Sequence, residues 1–140
     1  LQRRAVIDTL QLKNENFSRF THRTAVVSPL ATIGRNVLIM AGVVITSNAV
    51  IGDHVIILPN TVIHHDSEIG SYSMIGSNVS IAGNTKIGEN CYIGTGCNII
   101  NNITVGEKSL IGMGTNMLKS VPAYSRVVGN PARIIGRNTL

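Results

Sequence analysis

The sequence predicts an all-β chain: a parallel β-helix of about five coils, with a short N-terminal helix before it and a closing segment after it. Three regularities carry that prediction. A large apolar side chain recurs every six residues from Val27 through Ile33, Ile63 and Ile99 to Met117, sixteen slots without insertion or deletion. About a third of the chain is Leu, Ile, Val or Met, so such a run arises by chance, over six phases, on the order of once in ten million. Two residues before these slots the chain is small or β-branched, as at Ala31, Thr61, Ser67, Cys91 and Thr115. Glycine returns at intervals of eighteen, at Gly34, Gly52, Gly70, Gly88 and Gly106, and again at Gly76, Gly94 and Gly112.

These regularities build the elements in order. Residues 1–20, with Val6 and Leu10 at helical spacing, read as a helix of about three turns ending at Asn14, followed by a linker. Within 21–120 the period of six makes the coils. Side chains two apart on a strand share a face, so each unit sends one large and one small residue inward and then turns a corner. Eighteen residues make three strands and three corners, so one coil is a triangle and residues eighteen apart stack at about 4.8 Å. Residues 121–140 read as the closing segment.

Composition excludes several classes. The chain has 140 residues, 44% hydrophobic and 14% charged, which is not a disordered composition. No apolar run approaches the roughly 18 residues of a membrane span, and the chain is expected to be cytoplasmic. With no Trp and 4% aromatic residues it lacks stacking platforms for nucleic acid, despite a net charge of +5. Cys91 and Cys97 occupy consecutive small inward slots and read as core residues. Isolated histidines such as His22 and His54 read as solvated turn residues.

One corner breaks the pattern. After Ile63 come His64, His65 and Asp66, where the preceding coil has Thr46, Ser47 and Asn48 and the next has Ala82, Gly83 and Asn84. The eighteen-residue lattice stacks Gly83 one rung from His65.

The repeat resembles the hexapeptide-repeat acyltransferases. TVIHHDSEIG (61–70), SIAGN (80–84), the FTHRTAVVSPLATIG segment and the Gly129–Asn130–Pro131–Ala132 run resemble bacterial sialic acid O-acetyltransferases and N-acetyltransferases of nucleotide-linked 4-amino sugars. The resemblance implies a left-handed coil, a homotrimer with sites between neighbouring prisms, acetyl-CoA as cosubstrate, and a sugar or nucleotide-sugar acceptor in surface-glycan synthesis. In those relatives a βαβ domain holding the sugar nucleotide precedes the coils, so residues 1–20 are expected to be its last helix and linker. His65 matches the family's catalytic base and Asp66 its orienting carboxylate; Gly83, stacked one rung from His65, is the expected oxyanion donor and also faces the cofactor, and His64 is the expected substrate contact.

That assignment suits acetyl transfer, which needs a base for the acceptor's proton and a donor for the tetrahedral oxyanion. Imidazole is suited to the first at neutral pH and a turn amide to the second. The resemblance places acetyl-CoA near Met74, Thr95 and Met113, although Met74 stands where some relatives have a histidine. The last 33 residues carry Lys108, Lys119, Arg126, Arg133 and Arg137 and no Asp or Glu, which favours the phosphates of coenzyme A, with Arg133 as the expected contact. No metal is expected. The outward residues Leu38, Val44, Val50, Ile56 and Val62 are apolar in succession, which implies a cover of neighbouring subunits or a further domain. Two other readings stand beside the enzyme: a non-catalytic β-helix scaffold or oligomerisation module, and a carbonic-anhydrase-like zinc β-helix. The second lacks two histidines four residues apart.

Overall fold

Strands only two residues long cannot hold together as hairpins, so each must pair with the coil above and the coil below. In the computed structural model, which describes residues 2–139, they do so in three parallel sheets with a strict register of eighteen, Met74 beside Tyr92 and Ile81 beside Ile99. The first face contains Phe20–Thr21, Leu38–Ile39, Ile56–Ile57, Met74–Ile75, Tyr92–Ile93 and Leu110–Ile111. The second contains Val26–Val27, Val44–Ile45, Val62–Ile63, Ser80–Ile81, Asn98–Ile99 and Asn116–Met117, and the third runs from Thr32–Ile33 to Thr104–Val105. This is a parallel β-helix of about 6 turns, slightly longer than the expected five. The difference lies at the ends: Thr21 fills the first large slot and is exposed, so a hydrophobic count passes over it.

The core is the predicted pair of slots. From Ile39 to Met117 the large side chains are almost fully buried, as are the small ones between Val37 and Thr115. The hydroxyls among them are satisfied by the coils: Thr61 Oγ1 donates to Gly76 O at 2.6 Å and accepts from Val79 N at 3.2 Å. Ser67 donates to Ala82 O at 3.0 Å and accepts from Thr85 N at 3.3 Å. A buried hydroxyl is therefore a repeat component here, and apolar burial supplies the stability around it. Cys91 and Cys97 belong to the same set, their thiols reaching Gly106 O and Gly112 O. Burial pushes Cys91 up to about 11 and raises Cys97 as well, so neither is a thiolate nucleophile at neutral pH.

The corners follow two separate rules. Every sixth residue from Asn36 to Gly114 takes the left-handed conformation, and most of them are Asn, Asp or Gly, the residues that tolerate it. The glycines spaced by eighteen answer a different need: a Cβ on Gly70 would lie 2.5 Å from Glu89 N and Gly88 C of the next coil. Close stacking, not dihedral freedom, requires glycine there.

The N-terminal helix is shorter than predicted. It spans Gln2–Leu10 and ends at Gln11, which turns left-handed with φ 48°, before a 3-10 turn at Asn14–Asn16. Val6 and Leu10 are exposed, so their spacing marks no buried stripe. Instead the Arg4 guanidinium lies 5.3 Å from the Tyr72 ring and 3.6 Å from the Glu89 carboxylate. This segment also corrects the expectation for His54, which is 8% exposed. His54 stacks on Tyr72 at 4.7 Å, meets Phe17 edge-on at 5.0 Å and has Nδ1 2.9 Å from Asn36 Nδ2. It is a packed residue because the chain before the coils folds back over its edge. At the other end Ser125–Val128 extends the first face and forms an antiparallel hairpin with Arg133–Arg137.

Candidate active site

The unusual corner joins the second and third faces, between Val62–Ile63 and Glu68–Ile69. No glycine occupies its first position on any neighbouring coil, where Thr46, His64, Ala82 and Ile100 stand in register. Asp66 takes the left-handed slot with φ 58°, and this turns its side chain back toward the preceding residue. Oδ2 of Asp66 lies 2.7 Å from Nδ1 of His65. An ionised carboxylate only accepts, so His65 donates from Nδ1 and presents the lone pair of Nε2. The other carboxylate oxygen, Oδ1, accepts from Asn48 Nδ2 of the preceding coil at 3.1 Å. The bonds from His65 and then Asn48 hold Asp66 below the usual carboxylate range. It is therefore ionised at neutral pH.

Gly83 lies where the lattice puts it. A Cβ there would sit 2.7 Å from both Cε1 and Nε2 of His65, so the imidazole rests its Nε2 edge against the missing side chain. The Gly83 backbone is not left-handed; contact with the ring alone calls for glycine. Its carbonyl accepts from Asn102 N at 3.2 Å, while its N–H meets no acceptor among the described residues. An imidazole with an open Nε2, its carboxylate and an available amide are thus together, and the His65 side chain keeps 61% of its surface open to solvent.

The other predicted residues are not gathered at this corner. His64 is half-buried beside it, its backbone N–H bonded to Ile81 O at 2.9 Å. Met74 lies on the first face, and Thr95 and Met113 cap the edge between the first and second faces, one edge away from His65. Met113 is 75% exposed. Arg133 lies on the terminal hairpin, beside a cavity of about 340 Å³ bounded by Leu118, Lys119, Val127, Pro131, Ala132 and Ile134. No cluster of His, Cys, Asp or Glu able to hold a metal ion exists among the described residues. Asn48 is the member of the site that composition and spacing did not single out; the lattice held the signal, since Asn48 and Asp66 differ by eighteen.

The repeat also has a match among known families. The bacterial transferase hexapeptide (six repeats) model matches residues 30–65, 48–83 and 84–119. The chain belongs to the bacterial transferase hexapeptide family. Among solved structures it is similar to PerB of Caulobacter crescentus in complex with CoA and GDP-perosamine: 34% identity, TM-score 0.84, over 85% of this chain and 57% of that one. The acetyltransferase domain of PglB from Neisseria gonorrhoeae in complex with acetyl coenzyme A aligns with 31% identity and TM-score 0.87 over 96% of this chain and 64% of that one. WeeI from Acinetobacter baumannii gives 30% and 0.87, over 95% and 65%. The chain spans less than two thirds of the length of each. No curated protein matches the sequence.

Proposed function

We propose that this hexapeptide protein transfers an acetyl group from acetyl-CoA directly to the amine of a nucleotide-linked amino sugar. The observation that carries the reading is the single corner at which His65 Nδ1 meets the Asp66 carboxylate while its Nε2 edge lies against Gly83. In the proposed reaction the acceptor nitrogen attacks the thioester carbonyl carbon and gives its proton to His65 Nε2. The Gly83 N–H stabilises the oxyanion; the C–S bond then breaks, the acetamide forms and the thiolate of CoA leaves with the proton. His64 faces the acceptor beside the base. The amine is favoured over a hydroxyl by PerB, a perosamine N-acetyltransferase crystallised with CoA and GDP-perosamine.

Acetyl-CoA is assigned to the edge capped by Thr95 and Met113 and to Met74 on the adjoining first face, with Gly83 nearest the thioester and the nucleotide at the terminal cavity beside Arg133. Thr95 and Met113 cap a different edge of the prism from His65 and Gly83, so a site built between neighbouring prisms of a homotrimer joins one chain's base to another chain's cofactor edge. The outward apolar residues support such an assembly: Leu38, Val44, Ile56 and Val62 are half-buried and Val50 is 44% exposed on the isolated chain. No helix among the described residues is long and apolar enough to cross a membrane.

The test is thiol release from acetyl-CoA with a panel of nucleotide-linked amino sugars, free amino sugars and sialic acids, with calorimetry of acetyl-CoA binding alongside. Turnover with an amine acceptor is expected. Acetyl-CoA binding with turnover only on sialic acid hydroxyls would move the reading to O-acetylation. Neither binding nor release would leave a scaffold.

A further inference from the structure

Asp66 can orient His65 only if the carboxylate itself is held, and the Asp66 side chain is 50% exposed. One of its oxygens is committed to the imidazole. The second, Oδ1, is fixed by Asn48 Nδ2 at 3.1 Å. Asn48 and Asp66 stand in the same left-handed slot of successive coils, both with φ 58°, so their side chains leave the backbone along parallel directions one rung apart. The same ladder continues with Asn84 Nδ2 donating to Asn102 Oδ1 at 2.7 Å, which shows the bond to be the ordinary cross-coil contact of this edge. At one rung only, the acceptor is a carboxylate instead of an amide. A structural amide ladder has there been joined to the imidazole.

We propose that Asn48 is a positioning residue for acetyl transfer: it pins Oδ1 of Asp66, so that Oδ2 holds His65 with Nε2 directed at the acceptor and Gly83. This inference rests on the reading of His65 as the base. An amide donor fits the task because it neutralises one lone pair without competing for the imidazole proton, whereas a second carboxylate would repel Asp66 and a lysine would compete with His65 for it. The left-handed backbone narrows the choice further, since Asn and Gly adopt it readily and β-branched residues do not.

Two substitutions that keep this backbone test the proposal. Asn48→Gly removes the amide, and Asn48→Asp exchanges the donor for an acceptor of the same shape. In each, kcat is expected to fall about tenfold, the scale of one hydrogen bond to a charged group. KM for acetyl-CoA should be unchanged, and in Asn48→Gly the Asp66 carboxyl should titrate higher by ¹³C NMR. In a double-mutant cycle the Asn48→Gly loss should vanish in a His65→Ala background. Unchanged kcat in both Asn48 variants, or the same loss with and without His65, overturns the positioning role and leaves His65 in place. Full activity of His65→Ala instead removes the base, and the positioning inference with it.

Discussion

Replacing Gly83 by alanine separates the chemistry of the corner from its folding. The new methyl would sit 2.7 Å from Cε1 and Nε2 of His65 and 3.2 Å from Cδ2. Carbon contacts settle at about 3.5–4.0 Å, so the ring must withdraw by about 1 Å. The backbone itself tolerates alanine, because Gly83 is not left-handed, and the atoms in the way belong to an exposed side chain rather than to the next coil. Alanine also restricts the unfolded chain by roughly 0.4–1 kcal/mol, offsetting part of the steric cost. Stability should therefore barely change, with Tm within a few degrees of the parent. Activity should not survive so well: a misplacement of about 1 Å in a reacting group costs on the order of 10²-fold. The assay is steady-state thiol release with calorimetric Tm on the same preparation. Parental kcat in a folded Gly83→Ala protein would refute the placement of His65 against this glycine. Gly70→Ala is the control with the opposite signature: its methyl would strike backbone at 2.5 Å, so Tm falls while kcat per folded molecule is retained.

Further outcomes follow from the same geometry. Asp66→Asn should lower kcat at least tenfold, since an amide no longer fixes the imidazole tautomer. Asp66 titrates below its unfolded value, so the stability it adds is present above about pH 4 and is lost as pH falls through the lower folded value; the Tm difference between parent and Asp66→Asn, measured from pH 7 downward, should close in that acid window. Ile63→Ala opens a cavity in a fully buried slot, costing about 2–5 kcal/mol and lowering Tm on the order of 10 °C by calorimetry. Cys91, pushed up to about 11, should resist iodoacetamide at pH 7 in the folded protein, and Cys91→Ala should leave kcat unchanged. The pair Val50→Glu and Ile56→Glu should yield monomers in sedimentation; an intact trimer would assign those side chains another role.

The fold was legible because a period of six leaves nothing to tertiary accident. Each inward slot is specified locally, and Ile63 or Ser67 could be assigned from spacing alone. The corner of His65 and Asp66 was legible for the same reason, as a departure from a strict lattice, and that lattice also placed Gly83. What the sequence did not disclose depends on contacts that no period encodes. His54 occupies an ordinary corner slot, and it is buried by packing between Tyr72 and the returning Phe17. The left-handed slot was likewise hidden, because Asn, Asp, His, Tyr, Lys and Gly share it with no hydrophobic signature. With it went the significance of Asn48, whose spacing of eighteen from Asp66 matters only once both are known to turn the same way. The helix boundary failed for a simpler reason: the spacing of Val6 and Leu10 marks a helix but not its end, which comes at Gln11, where the backbone turns left-handed, and not at Asn14.

The central claim is that His65 takes the acceptor's proton. The direct measurement is the steady-state kinetics of His65→Ala with acetyl-CoA and a turnover-competent amino-sugar acceptor. A fall in kcat of at least a hundredfold is expected, with parental Tm, unchanged assembly and unchanged KM for acetyl-CoA. A kcat within about threefold of the parent, in a protein that binds acetyl-CoA normally, would contradict the account.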